Sequence, residues 1–407
     1  MAWDVDENLR LMTPTSSAPL LRNLPVARVT LVIPCLNEAA TLGGLIQEAW
    51  QVFSADNSFE WRILVADNGS SDASARIARE NGAEVIYVLR KGYGAALDAG
   101  IRAALTDWVI YFDADTTYRP TDALAIMKRA AGSDLDLVVG NRLRGEIQEG
   151  SMPWLHRYLG TPILSWLIRT MTGSTVGDCN SGIRAVRVHS YLQWQMRSPG
   201  MEFASELLLK AALNSARVAE VPSGLRRGPI GRVPHLRTWR DGMRHLLVIL
   251  CASPRLFWNS GLALLVVSLA MQAPSLTFGE LPVFGRFVVF GPHTQALAIL
   301  LGVAGGCVLN VGLVLYGSAA RNGSKPALAR ILSEVSEARL FWSLLSCSAI
   351  FSGAIGVVFW NWFRADFSNL NFLTITLGIT HFAAVFVSLV VGILQCHIQK
   401  RSSVFET

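Results

Sequence analysis

The sequence predicts an α/β domain, a mostly parallel sheet flanked by helices, followed by an all-α membrane region of four helices. Two observations predict it. Over roughly the first 225 residues, short β-branched and aromatic runs alternate with amphipathic stretches, the pattern of a sheet whose strands are joined through covering helices. After Arg240 charge thins out into four apolar runs, near 254–272, 294–317, 341–362 and 371–397, each approaching or exceeding the roughly 20 residues that span a bilayer.

The elements follow in order. Residues 1–27 hold Asp4, Asp6, Glu7 and several Ser, Thr and Pro; they lack the basic start and apolar stretch of a secretory signal and read as a flexible lead. A first domain is expected over 28–235, with strands at Val29–Ile33, Trp61–Ala66, Glu84–Leu89, Trp108–Phe112 and Asp136–Val139. Amphipathic helices fall at Glu38–Phe53, Asp72–Glu80 and Thr121–Ala130. Residues 236–253 mix Arg237, Trp239, Arg240 and Arg244 with apolar neighbours, as an interfacial helix does; Ala327–Leu340 repeats that character. The membrane region covers 254–400 and a short tail 401–407. The loop between the second and third runs carries Arg321, Lys325, Arg330 and Arg339, and the tail Arg401 beside Lys400, against only Arg286 and Arg364 in the opposite loops. The positive-inside rule therefore puts both ends, and the first domain, in the cytoplasm.

Composition supports the division. Of 407 residues, 51% are hydrophobic and only 16% charged, where soluble chains carry roughly 25% charged residues. The net charge of +6 suits an anionic lipid surface and phosphate-bearing ligands. No basic tract is interleaved with aromatics, so nucleic acid is not an expected partner. The six cysteines are scattered, which supports neither a disulfide framework nor a zinc site.

Four motifs sit where strands are predicted to end, the edge at which such sheets bind ligands. Pro34-Cys-Leu-Asn37-Glu38 closes the first strand; Asn37 is expected to cap the next helix and leave backbone donors open to an anion. Asp67-Asn68-Gly69-Ser70-Ser71-Asp72 closes the second, with Asp67 placed to accept bonds from a base or ribose; a plain turn and helix cap explains it equally well. In Arg90-Lys91-Gly92-Tyr93-Gly94 the glycines permit close approach of backbone to phosphate, and Lys91 adds charge. The sharpest is Val109-Ile-Tyr-Phe-Asp113-Ala-Asp115, an apolar strand ending in two acids spaced i, i+2. On extended backbone that spacing places both on one side, where mutual repulsion calls for a cation; Mg²⁺ or Mn²⁺ is the natural one.

In this order the motifs resemble the family 2 glycosyltransferases with a GT-A fold, nearest to the dolichyl- and polyprenyl-phosphate sugar synthases. The resemblance covers roughly residues 28–250 and includes Gly140-Asn-Arg142, Asp178-Cys-Asn-Ser181-Gly182-Ile-Arg184, Glu202-Phe-Ala-Ser-Glu206 and Glu220-Val-Pro222. It implies that Pro34, Asn37, Glu38 and Asp67 hold the nucleoside, with Lys91 nearby, and that Asp113 and Asp115 hold metal and pyrophosphate. Arg142 and Arg157 would grip the phosphate of a lipid acceptor, Asp178 would stand where the family has its candidate base, and Arg184 would flank it at the acceptor phosphate. The family often has two adjacent acids where this chain has Asp67-Asn68. It also has a serine after the second arginine, for which Thr161 substitutes or Gly160 leaves nothing.

The function implied is inverting transfer of a hexose from a nucleotide-diphosphate sugar, of the UDP-glucose or GDP-mannose class, to a polyprenyl phosphate at the cytoplasmic membrane face. A phosphate acceptor is already largely ionised at neutral pH, so Asp178 is expected to orient a hydroxyl rather than remove a proton. A glycerolipid or polysaccharide acceptor is the alternative within enzymes; the Gln-x-x-Arg-Trp motif of processive synthases is absent. A non-catalytic membrane protein that binds sugar nucleotides is the alternative outside them. The sequence leaves a homo-oligomer open.

Overall fold

The computed structural model describes residues 27–229, 238–277, 281–283, 287–289, 291–318, 336–365 and 372–402. The expected lead at 1–26 and most of the second interfacial stretch, 327–335, lie outside them. By its contacts the chain divides into Met1–Gly242 and Met243–Thr407.

The first unit is built on β1 (Ala27–Cys35), α1 (Ala39–Ser54), β2 (Phe59–Asp67), α2 (Ser74–Glu80), β3 (Glu84–Tyr87), α3 (Tyr93–Ala103), β4 (Trp108–Tyr111), α4 (Pro120–Ala131) and β5 (Leu137–Asn141). There follow α5 (Thr161–Thr172), β6 (Arg184–Arg187), α6 (Val188–Gln193), α7 (Phe203–Leu213) and β7 (Val218–Pro222). One seven-stranded sheet results, in the order β3-β2-β1-β4-β6-β5-β7. All neighbours are parallel except β6, which runs against both β4 and β5.

β1 is buried on both faces from Val29 to Cys35, as a central strand covered on two sides must be. α1 turns Leu42, Leu45, Ile46, Ala49 and Phe53 onto the sheet, the 3.6-residue stripe of a core-facing helix. α4 starts at Pro120, whose fixed φ suits the first helical position. It buries Ala123, Ile126, Met127 and Ala130. α3 lies so close to β1 that a Cβ on Gly100 would fall 2.4 Å from Val32 Cγ1; only glycine fits there.

Register makes one edge of this sheet the working edge. Cys35 pairs with Asp67 and Asp67 with Tyr87, so β1, β2 and β3 end level. Tyr111 at the end of β4 pairs with Arg184 at the start of β6, and Asn141 pairs with Pro222. Because β6 is reversed, its incoming loop arrives at the edge where the parallel strands leave.

The second unit holds α9 (Pro254–Thr277), α10 (Pro292–Ser318), α11 (Glu337–Arg364) and α12 (Phe372–Ser402), with a short hairpin of β8 (Leu281–Val283) and β9 (Phe287–Val289). α8 (Thr238–Cys251) runs across the division between the units. It covers the expected interfacial segment and exposes Trp239, Met243 and Leu247 along one face. Among the described residues four helices are long and apolar enough to cross a membrane, over Pro254–Pro274, Pro292–Tyr316, Phe341–Arg364 and Ile375–Gln395, with mean hydropathy of 1.5, 2.3, 1.8 and 2.3. α10 packs between α9 and α12 around Trp258, Leu265, Leu309, Leu313 and Val390. Outward-facing Trp342, Ile350, Val357 and Phe359 on α11 are exposed, which is stable only with lipid as solvent.

Candidate active site

At the tip of β1, Asn37 adopts a left-handed conformation, φ 57°, and the expected helix cap is not made. Its Oδ1 instead accepts from Ser71 N at 2.8 Å. The donors thought open to an anion are used within the fold: Asn37 N bonds Ser70 Oγ, Glu38 N bonds Ser74 Oγ, and Ala39 N bonds Asp72 Oδ2. The loop after β2 thus caps α1 from outside. Pro34 is buried in register with Ala66, and Glu38 is buried and accepts from Thr41 Oγ1. Asp67, nearly inaccessible, accepts from Ser70 N at 3.3 Å.

Asn68 proves to be a latch between loops. Its Nδ2 donates to the carbonyls of Val88 and Arg90, and its Oδ1 accepts from Gly92 N at 2.7 Å. Lys91 returns over the β2 tip and donates to Asn68 O at 2.9 Å. Gly69, at φ 86°, lies under that ammonium, where a Cβ would collide with Nζ. Lys91 is therefore held at the β2 tip by its bond to the Asn68 carbonyl.

β4 stops at Tyr111, so Asp113 and Asp115 lie beyond the strand, Asp115 on a turn. The alternation argument for placing both on one side therefore does not apply; the chain turns just after them, with Thr116 at φ 62°. Asp113 Oδ1 accepts from Tyr93 Oη at 2.8 Å, which ties the turn to the first residue of α3. Burial, then the nearby Asp113 charge, pushes the Tyr93 hydroxyl well above its usual pKa, so it stays a donor. Asp115 is largely buried, and its Oδ1 takes both the Oγ1 and N of Thr117.

Arg142 and Asp178 form a bidentate pair. Arg142 Nε and Nη2 reach Asp178 Oδ2 and Oδ1 at 2.7 and 2.8 Å, and Arg142 N adds a third bond at 3.0 Å. Asp178 is 0% exposed and the arginine side chain 13%. Burial works against both charges, but each outweighs it for the other: Asp178 is held below the usual carboxylate range and Arg142 above its own. Glu220 fixes the same loop, with Oε1 accepting from Gly177 N and Asp178 N and Oε2 from Asn141 Nδ2. Tyr118 lies between this pair and the β4 turn. Its hydroxyl accepts from Gly182 N at 2.7 Å; burial first, then the charges of Asp113 and Asp178 against that of Arg142, leaves it pushed up to about 12.

Two residues are placed otherwise than the resemblance implied. Arg184 is fully buried and donates to the carbonyls of Ser181, Ala204 and Cys179, so it holds backbone and not an acceptor phosphate. Thr161 is 2% exposed and accepts from Asn180, which removes it from solvent. Glu206 pairs with Lys210 at 3.3 Å and also accepts from Arg197 N and Ser198 N, a loop anchor. Arg226 bonds Glu48; Arg232 and Arg237 lie outside the described residues.

Arg157, by contrast, is exposed, on a π-helical turn, His156–Gly160, that leads into α5. Its guanidinium lies 5.3 Å from the Tyr158 ring centre. On the same stretch Trp154, Tyr158, Ile163 and Trp166 stand 70, 59, 46 and 55% exposed. His156, the residue before it, is lowered from its usual pKa, first by burial and then by the Arg142 charge.

The family model for glycosyl transferase family 2 matches residues 30–192. The low-salt glycan biosynthesis hexosyltransferase Agl6 of Haloferax volcanii is 33% identical over 303 residues, 73% of this chain and 69% of that protein. A match of that length continues past Gly242 into the second unit. A dolichyl-phosphate hexose transferase of the same organism is 29% identical over 48% of this chain and 81% of its own. Glucosyl-3-phosphoglycerate synthase from Mycobacterium tuberculosis, solved with Mn²⁺, UDP-glucose and phosphoglyceric acid, superposes on 56% of this chain and 79% of that one, with 22% identity and a TM-score of 0.45.

Proposed function

The chain belongs to glycosyl transferase family 2, and from that premise we propose that it transfers a hexose from a UDP-glucose- or GDP-mannose-type donor to a polyprenyl phosphate, with inversion. It is a membrane protein with a GT-A-like catalytic unit. The observation that most supports a lipid acceptor is the run of exposed Trp154, Tyr158, Ile163 and Trp166 on the same stretch of chain as the exposed Arg157, whose guanidinium lies against Tyr158. Trp and Tyr are the side chains favoured where hydrocarbon meets water, and arginine is suited to phosphate.

In this reading Pro34, Asn37, Glu38 and Asp67 bound the nucleoside, and Lys91 neutralises charge on the diphosphate. Asp113 and Asp115 would hold Mg²⁺ or Mn²⁺. The donor set fits: two carboxylates supply hard oxygens, and among the described residues no third acid, His or Cys completes a protein cage, as expected for ions that share their shell with substrate phosphates and water. Such an ion, when bound, supplies charge stabilisation for the departing nucleoside diphosphate. Tyr93 keeps the Asp113 carboxylate oriented toward that charge.

Arg142 and Arg157 attract the acceptor phosphate. A phosphate monoester has a second pKa near about 6 and is largely dianionic at neutral pH; its oxygen attacks the anomeric carbon opposite the leaving diphosphate without needing a base. Asp178 is unsuited to take a proton, because Arg142 covers both its oxygens and lowers its pKa. Its role is to aim Arg142. With the catalytic unit cytoplasmic, the product forms at the inner face of the membrane.

The test is a donor panel with undecaprenyl phosphate, with and without chelator, the lipid product being identified by mass. A hexosyl phospholipid formed from one donor and abolished by chelator is expected. Glycosylation of a glycerolipid instead, or transfer that ignores the chelator, refutes the acceptor or the metal assignment respectively.

A further inference from the structure

Arg90 and Lys91 are neighbours in the chain, but their side chains part. Lys91 turns to the β2 tip, whereas Arg90 Nη2 donates to Arg197 O at 3.2 Å, in the loop between α6 and α7. Both arginines line a cavity of about 150 Å³. One water needs only about 10–15 Å³ of such space, so a polyatomic ligand has room. The buried side chains of Val88, Ala95 and Met196 give it an apolar floor, and the exposed Arg90 and Arg197 open it to solvent.

The loop that carries Arg197 is fixed from several sides. Gln195 holds a left-handed backbone, φ 50°, and its carbonyl accepts from Lys210 Nζ. Arg197 N and Ser198 N donate to Glu206, and Pro199 O accepts from Ala95 N. A Cβ on Gly92 would fall 2.1 Å from Pro199 O, and one on Gly94 2.4 Å from Ser198 O, so the loop seats against the first turn of α3. Its backbone is thus tied down. The Arg197 guanidinium and the Ser198 hydroxyl, which also lines the cavity, make no hydrogen bond among the described residues.

The acids at this wall are already matched. Asp98 accepts from Arg102 Nε at 2.9 Å through both oxygens and from the Tyr191 hydroxyl at 2.7 Å. Glu206 has Lys210 besides its two backbone donors. Two arginines therefore leave the cavity with a positive excess.

We infer that this cavity is a binding site for a phosphate group, separate from the metal turn at Asp113 and Asp115. Guanidinium groups and a hydroxyl form a set of donors that suits phosphate oxygens. The occupant is a free phosphate ion or a small phosphomonoester whose carbon part lies on the apolar floor; the group recognised is the same. It would touch the segment that Asn68 latches, whose carbonyls at Val88 and Arg90 are held from the β2 tip. The site does not rest on the transfer reading above.

The experiment uses the full chain in maltoside micelles with chelator and without donor or acceptor. Inorganic phosphate and glycerol 3-phosphate are each titrated by calorimetry. Saturable binding is expected, weakened at least tenfold in Arg90→Gln/Arg197→Gln and kept in Arg157→Gln. Tighter binding of the ester identifies an organic phosphate as the occupant, and equal or weaker binding the free ion; either supports the site. In the wild-type chain, phosphate should also protect Arg90 and Arg197 from phenylglyoxal, mapped by peptide mass, and leave the exposed Arg129 reactive. No saturable binding, binding undiminished in the double variant, or protection of Arg142 and Arg157 in place of Arg90 and Arg197 would overturn the proposal. The protection map decides even if the variant fails to fold. Because no sugar is transferred in these measurements, a failed transfer assay leaves their result standing.

Discussion

Arg142 and Asp178 each satisfy the other, so substituting either alone strands a buried charge. Arg142→Ala should destabilise the first unit by about 3–5 kcal/mol, the usual effect of breaking such a pair, measured by chemical unfolding. Arg142→Met/Asp178→Leu should recover most of that stability and none of the transfer activity, which separates folding from function. The same pair sets an acid limit. Asp178 is held below its ordinary value near 3.8, so its contribution is complete above that value and is lost as pH falls through the lowered one. Melting temperatures should drop in that window for the wild-type chain, and the drop should be smaller for Asp178→Asn; equal slopes would refute the assignment. The strand that leads to Asp113 and Asp115 was legible because its residues are apolar and buried throughout. The burial of Thr161 and Arg184 was not, since nothing local tells a loop side chain which way the remaining fold will turn it.

Between elements, the sheet's parallel half could be read from alternation, but β6 and β7 could not. β6 joins by reversal, which no periodicity announces, and no residue of β7 is fully buried. The cap of α1 was misjudged for a related reason: Ser70, Asp72 and Ser74 reach it from a loop more than thirty residues away, whereas a sequence motif advertises only neighbours. Asn68 is another such long-range fastening. Asn68→Ala removes three hydrogen bonds that hold the Arg90–Gly92 loop. A rise of about tenfold in donor KM is expected, the equivalent of one net bond, with a smaller change in kcat. Steady-state kinetics at saturating lipid would check it; a loss in kcat alone would place the loop's role in the chemical step.

At the scale of the molecule, the four spans were plain in the sequence because lipid imposes length and apolarity together. An even number of spans and the basic loops predict that both termini share a compartment. A reporter fused after Thr407 that is active only in the cytoplasm should therefore be active, and one inserted in the hairpin region at 284–286 silent; the opposite pattern would invert the topology. Finally, the reversed strand β6 has a consequence for inheritance. Everything proposed to meet the nucleotide comes from before α4, and everything proposed to meet the acceptor comes from 142 to 222, so the two specificities occupy separable lengths of gene. A hybrid that takes residues 137–222 from a relative should change which lipid is glycosylated while spending the same nucleotide.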